Sequence, residues 1–204
     1  DGVLLPPQPS LEAQVADLAD DVAYYAHDVD DGIVAGLLSM DQLQSVRFWR
    51  MALDDALATG GDADADYFSA YVVRCLIDRL VGNIIDASEA RLRASELNGP
   101  DDVTERLHPL VDFSEDFRSG SREFRAFLFE NLYWNELVLD VNRRAESAVE
   151  GLFRHFVAHP ESMGRGARTR IESTGLERAA ADYLAGMTDV YAIEKYRELL
   201  NKTF

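Results

Sequence analysis

Apolar residues recur at helical spacing along nearly the whole chain, and this pattern most constrains the fold. Alternating apolar and polar runs of the kind that form β-strands are few. Clusters that favour turns, such as Thr59-Gly60-Gly61 and Asn98-Gly99-Pro100, separate the helical stretches. The sequence therefore predicts an all-α protein built as a bundle of many helices.

Serine residues predict where two of the helices begin. Ser10 and Ser114 are each followed by acidic residues in the first turn, which is typical of N-caps. The first helix is predicted to end near residues 27–30, before Gly32, and the glycine- and arginine-rich stretch 162–174 is predicted to be a loop. The other predicted helical stretches are about 33–38, 41–57, 64–97, 115–133, 135 to near 159–160, 175–187 and 190–201.

Composition limits the classes of function. The chain has 204 residues, of which 47% are hydrophobic, so it can bury a core of one domain or a large piece of one. A net charge of −17 argues against a surface that holds long nucleic acid. No membrane span or secretory signal is present in the sequence, which predicts a cytoplasmic protein. The single cysteine, Cys75, lies in an apolar run and is predicted to be inert.

An acidic stripe on the first predicted helix is the main candidate site. Asp20, Tyr24 and Asp28 are spaced by four residues, so they lie along one side of a helix. Residues 10–32 contain no basic side chain except His27, so a cation is expected opposite this stripe. A carboxylate can bind a divalent metal, a tyrosine can pack against a sugar, and a second carboxylate can accept a hydrogen bond from a hydroxyl group. A solvated acidic helix face is the alternative.

Four segments resemble one known family. The run EAQVADLADDVAYYAHDVDDG is similar to the last metal-ligand helix of the deoxyguanosinetriphosphate triphosphohydrolase (dGTPase)-like family of HD-domain phosphohydrolases. RCLIDRLVGNIIDASEARL resembles the long helix after the site in that family. FRAFLFENLYWN and DYLAGMTDVYA are similar to two later segments of the family. These matches cover most of residues 10–200, and they imply the C-terminal part of an HD-domain-like bundle that lacks the upstream His and His-Asp helices.

The resemblance assigns a role to each member of the stripe. The family's metal site uses a histidine, an adjacent His-Asp pair and a final aspartate that is followed by tyrosine at the fourth position and aspartate at the eighth. This pattern places the metal ligand at Asp20 and the deoxyribose contacts at Tyr24 and Asp28. The dipeptide His27-Asp28 is then accidental, and the other metal ligands are expected upstream of this chain.

Two arginines in the long helix are further candidates. Arg74 and Arg79 lie in a largely apolar run, where a charge needs a partner or a ligand. The resemblance implies that they bind the triphosphate of the substrate, because guanidinium groups offer paired donors to phosphate oxygens. The alternative is that they form ion pairs with Asp78, Asp86 or the acids near Asp20.

The resemblance also implies a function for the longer protein. It is expected to convert a deoxynucleoside triphosphate (dNTP) to a deoxynucleoside and triphosphate, with a divalent metal such as Mn²⁺ or Mg²⁺, as a homo-oligomer. The expected division is a connector at 1–9, a catalytic-core part at 10–98 and a C-terminal helical region at 99–204. Alone, this chain is expected to be inactive, since it lacks most metal ligands. The alternative is a non-catalytic helical region for oligomerisation or regulation.

Overall fold

The computed structural model describes residues 6–200, which form ten α-helices and no β-strand. The prediction of an all-α protein is confirmed. Contacts divide the chain into two compact units, one running through Asn135 and the other starting at Glu136. The functional division predicted at residue 98 stays a prediction, and the first part of the predicted connector 1–9 lies outside the described residues. Within 6–200, no helix combines the length and apolar character that a membrane span requires.

Helix bounds in the two units are as follows. The first unit contains α1 (Leu11–Val34), α2 (Met40–Leu43), α3 (Arg47–Ala58), α4 (Phe68–Ala94), α5 (Asp101–Thr104) and α6 (Glu115–Leu128), which continues into a π-helical turn (Phe129–Tyr133). The second unit contains α7 (Glu136–Ala158), a short 3₁₀ turn (Pro160–Ser162), α8 (Arg165–Thr174), α9 (Leu176–Ala185) and α10 (Asp189–Leu200).

Both predicted serine caps are confirmed. The Ser10 hydroxyl accepts a hydrogen bond from the backbone N–H of Ala13 at 3.4 Å, and the Ser114 hydroxyl accepts one from Phe117 at 3.4 Å. Each cap satisfies a donor that the first turn of a helix leaves without a backbone partner. These two serines fix the starts of α1 and α6, the helices that later frame the candidate site.

The prediction that α1 ends before Gly32 is wrong, because the helix continues to Val34. Gly32 is buried in the helix, where a Cβ atom would lie 2.7 Å from Leu38 Cδ1. The glycine therefore allows a close approach of the following loop rather than ending the helix. Gly36, with φ of 68°, adopts the left-handed conformation in the turn, so the predicted helical piece at 33–38 is absent from the structure.

The predicted helix at 41–57 is divided into α2 and α3. Side-chain donors bind carbonyl groups at the break: the Ser45 hydroxyl donates to Gln42 O at 2.8 Å, and the Arg50 guanidinium donates to Gln44 O at 2.7 Å. Gln42 O also accepts the Ser45 backbone N–H at 3.1 Å, so these bonds help to satisfy carbonyl groups where the regular helical pattern is interrupted. The spacing of apolar residues does not reveal this break, because the apolar residues before and after it follow nearly the same helical repeat.

The first unit has an aromatic core formed by α1, α3, α4 and α6. Phe48 and Trp49 of α3 and Phe124 of α6 are almost fully buried. Phe48 and Phe124 meet edge to face, with ring centroids 6.3 Å apart. Gly120 of α6 lies against the same ring, because a Cβ atom there would be 2.7 Å from Phe48 Cε1 and Cζ. The absence of a side chain at residue 120 therefore lets α6 pack closely on α3.

In the second unit, the predicted loop at 162–174 is wrong, because residues 165–174 form helix α8. Met163 and Ala167 are buried in the core of this unit with Leu152 and Phe156. Arginine is a good helix former, so the exposed arginines support this helix despite the flanking glycines. The apolar anchors are too sparse for their helical spacing to be recognised in the sequence.

Replacing Gly120 with alanine tests the close packing of α6 on α3. Because Phe48 is buried and cannot move freely, overpacking is expected to cost about 1–3 kcal/mol. A gain of about 1 kcal/mol in helix propensity offsets part of this cost. Gly82→Ala is the matched control, since it lies inside α4 with open space around it. Urea denaturation should show a less stable Gly120→Ala variant and an unchanged or more stable control; a stabilised Gly120→Ala variant contradicts the packing argument.

Candidate functional site

Tyr25 anchors α1 against α6. Its side chain is buried, its hydroxyl lies 2.9 Å from the Ser121 hydroxyl, and its ring centroid lies 5.2 Å from that of Phe124. Burial raises the pKa of the Tyr25 phenol above its ordinary value, so the group stays neutral. Because Tyr25 points inward, the neighbouring Tyr24 points outward, and 58% of its surface is exposed.

A cavity of about 410 Å³ lies between α1 and the segment formed by α6 and the π-helical turn. Two members of the predicted stripe, Asp20 and Tyr24, line it. The full lining consists of Asp20, Asp21, Tyr24, Tyr25, Arg125, Leu128, Phe129 and Tyr133. The stripe therefore faces a concave surface that contains acidic, aromatic and basic groups, which is the arrangement expected of a polar ligand site.

Asp28, the third member of the stripe, adjoins this cavity through Tyr133. The Tyr133 hydroxyl donates a hydrogen bond to Asp28 Oδ2. Burial, and then this bond to a carboxylate, raise the pKa of Tyr133 well above its ordinary value. The phenol therefore stays a neutral donor, and it joins the end of the stripe to the wall of the cavity.

Arg125 supplies a cation opposite the acidic stripe. Its guanidinium carbon lies 5.9 Å from the ring centroid of Phe129, which is within cation–π distance. Within residues 6–200 no carboxylate forms an ion pair with it, so this guanidinium of the cavity lining has no anionic partner among the described residues. A cation opposite the stripe was expected, but Arg125 and Tyr133 were not identified as site residues. The signal was present in FRAFLFENLYWN, where they are polar groups in an apolar run.

The described residues alone do not form a complete metal site. Across 6–200, no three His, Cys, Asp or Glu side chains lie close enough together to hold an ion. Asp20 and Asp21 are the carboxylates in the cavity lining. His27 is exposed and is not part of that lining, and the interpretation of His27-Asp28 as an accidental dipeptide stays a prediction.

The structure places Arg74 and Arg79 at a different cavity. This second cavity, about 620 Å³ in volume, is lined by Asp55, Thr59, Tyr71, Arg74, Cys75, Asp78 and Arg79, and none of these residues lines the first cavity. Arg79 Nε and Nη2 donate to the two carboxylate oxygens of Asp55 at 2.6 and 2.5 Å. Arg79 thus has an ion-pair partner, although neither Asp78 nor Asp86 is that partner. Arg74 is exposed, and within 6–200 it forms no ion pair.

Comparisons with known proteins agree with the resemblance. Residues 111–198 match the phosphohydrolase-associated domain family. Deoxyguanosinetriphosphate triphosphohydrolase-like proteins are 36% identical in Geobacter sulfurreducens, 38% in Brucella anthropi and 37% in Ralstonia nicotianae, over 94–95% of this chain. The resemblance to this family is confirmed. The chain spans about half the length of these curated relatives, 49–50% of each.

The ion pair of Arg79 with Asp55 gives a testable dependence of stability on pH. The guanidinium lowers the pKa of Asp55 below 3.8, so the pair stabilises the fold above that pH and the contribution is lost as pH falls through the folded-state pKa. Because both side chains are partly exposed, the pair is worth roughly 1 kcal/mol or less. Urea denaturation should show Asp55→Asn less stable at pH 7, with the difference shrinking towards pH 3.

Asp54→Asn is the matched control, because Asp54 is the exposed neighbour of Asp55 and its replacement removes a nearby charge without breaking a side-chain hydrogen bond to Arg79. It should change stability by less than Asp55→Asn at pH 7. Equal effects of the two substitutions at both pH values contradict a specific contribution from the pair.

Proposed function

We propose that this chain forms part of a metal-dependent dNTP triphosphohydrolase and that the cavity between α1 and α6 binds the nucleotide. The observation that supports this most is the convergence of Asp20, Tyr24 and Arg125 on one cavity, with Asp28 beside it. A carboxylate, an exposed phenol ring and an unpaired guanidinium match a metal, a sugar and a phosphate in chemical character. The names of the relatives point to the same class of reaction.

The sugar is assigned to Tyr24 and Asp28. Tyr24 exposes most of its surface at the cavity, so its ring is available to pack flat against deoxyribose. A ring in van der Waals contact with the 2′ carbon leaves no room for a 2′-hydroxyl, which favours deoxynucleotides over ribonucleotides. Asp28 lies one turn further along α1, where its carboxylate accepts a hydrogen bond from the 3′-hydroxyl.

The phosphates are assigned first to Arg125. It is the guanidinium in the lining of the first cavity, and it is free to offer paired donors to phosphate oxygens. Arg79 is already bound to Asp55, and Arg74 lies at the second cavity. Contact of Arg74 and Arg79 with the triphosphate stays a prediction from the resemblance. Neutralising the triphosphate stabilises the charge that develops on it during P–O cleavage.

Asp20 is assigned as one oxygen ligand of a divalent metal such as Mn²⁺ or Mg²⁺. One carboxylate does not hold such an ion tightly, and the described residues supply no complete ligand set. The remaining ligands would come from outside the described residues 6–200. With Asp20 as one of its ligands, such an ion would supply Lewis acidity for activating the phosphate and a water. Assembly as a homo-oligomer and a cytoplasmic location stay predictions.

Asp20→Asn in the full-length protein tests the proposal. Loss of this carboxylate should reduce metal content and lower triphosphate release from dNTPs at least a hundredfold. Residues that only hydrogen-bond to the metal ligands cannot replace a ligand that binds the ion directly. His27→Ala is the control, since His27 is exposed outside the cavity, and its metal content should be unchanged. Metal content is measured by elemental analysis and activity by triphosphate release with added Mn²⁺.

The isolated 204-residue chain should release no triphosphate under the same conditions. Robust turnover by this chain contradicts the view that most metal ligands lie outside it. Metal loss in His27→Ala together with normal metal content in Asp20→Asn contradicts the assignment of Asp20. If the full-length protein does not hydrolyse dNTPs, the alternative is favoured, in which this chain is a non-catalytic helical region for oligomerisation or regulation.

A further inference from the structure

The bond between Tyr133 and Asp28 joins two residues that are 105 positions apart in the chain. Both side chains are partly buried, and Tyr133 also lines the cavity. Tyr24 is close enough to Tyr133 to influence its ionisation, so the three side chains form one group at the end of the stripe. One oxygen of the Asp28 carboxylate is held by the phenol, and the other oxygen forms no hydrogen bond within the described residues.

The π-helical turn determines where the Tyr133 hydroxyl lies. In this turn the backbone N–H of Trp134 donates to Phe129 O, five residues earlier, at 3.0 Å. The Asn131 side chain donates to Phe127 O at 2.9 Å, which satisfies a carbonyl at the entry to the turn. The Phe129 ring packs edge to face on Tyr133, with centroids 4.9 Å apart. Irregular turns of this kind are frequent at functional sites, and here the turn carries the phenol that bonds Asp28.

We infer that Tyr133 is a positioning residue that fixes the Asp28 carboxylate so that Oδ1 accepts the 3′-hydroxyl of a deoxynucleotide. Tyr133 occupies Oδ2, and Oδ1 forms no hydrogen bond within the described residues. Without the phenol, the carboxylate can rotate about its side-chain bonds and loses part of its alignment with the sugar. This inference rests on the proposed binding of a deoxynucleotide in the cavity, and it concerns recognition of the sugar rather than the cleavage step.

The experiment compares a dNTP with the matching 2′,3′-dideoxynucleoside triphosphate in the full-length protein. Tyr133→Phe should raise KM for the dNTP roughly fivefold, the effect of one lost hydrogen bond. It should leave KM for the dideoxy substrate and kcat for both nearly unchanged. Asp28→Ala should lower the preference for the 3′-hydroxyl at least as much, and the double variant should lose no more than Asp28→Ala alone.

Tyr25→Phe is the matched control. It also removes a phenol hydroxyl from the contact between α1 and α6, but that hydroxyl bonds Ser121 and not Asp28. Any general loosening of the contact should appear in both variants, whereas the ratio of the two KM values should change in Tyr133→Phe alone. An equal rise of both KM values in Tyr133→Phe, or no change in the ratio, overturns the inference.

The outcomes separate the inference from the proposed function. If the wild-type protein hydrolyses dNTPs and Asp28→Ala changes the ratio while Tyr133→Phe does not, only the inference is wrong. If the protein binds dNTPs without hydrolysing them, the ratio of dissociation constants from calorimetry replaces the ratio of KM values. If neither nucleotide binds, the proposed function and the inference are both wrong.

Discussion

The packing of Tyr25 against α6 determines how the rest of the candidate site is arranged. Its ring contacts Phe124, and its hydroxyl bonds Ser121, so the rotation of α1 about its own axis is fixed. Successive residues on a helix are about 100° apart. With Tyr25 pointing into the contact, Tyr24 is turned about 100° away from it, and the structure places Tyr24 and Asp20 in the lining of the cavity. The acidic stripe is therefore directed by an apolar contact, and its polar members do not have to hold the helix in place.

The residues of the stripe could be predicted from the sequence, whereas the residues that lie opposite the stripe could not. Spacing by four places Asp20, Tyr24 and Asp28 on one side of α1, and that statement needs no tertiary structure. The identity of the groups opposite them depends on how α6 packs and on the π-helical turn that carries Tyr133. Arg125 and Tyr133 are polar groups in the apolar run FRAFLFENLYWN, but no local pattern there encodes the extra residue of the π-helical turn, so the sequence alone does not place them opposite the stripe.

The arginines of α4 illustrate a second limit. Arg79 was predicted to need a partner because its neighbours in sequence are apolar, and the structure gives it Asp55 of α3. Which acid fills that role depends on the register between two helices, which periodicity does not specify. The same limit applies to α8, where buried Met163 and Ala167 decide the structure and the flanking glycines suggest a loop. Tertiary contacts therefore decided these two cases, whereas local hydrogen bonds from Ser45 and Arg50 accompany the break between α2 and α3.

A crystal structure of the full-length protein with Mn²⁺ and a dNTP analogue that cannot be hydrolysed tests the central claim most directly. The account predicts an anomalous Mn²⁺ peak at bonding distance from an Asp20 carboxylate oxygen. It also predicts the sugar beside Tyr24 and a phosphate oxygen within hydrogen-bond distance of Arg125. A nucleotide bound at the second cavity beside Arg74, with the Asp20 carboxylate in solvent and far from the metal, would contradict it.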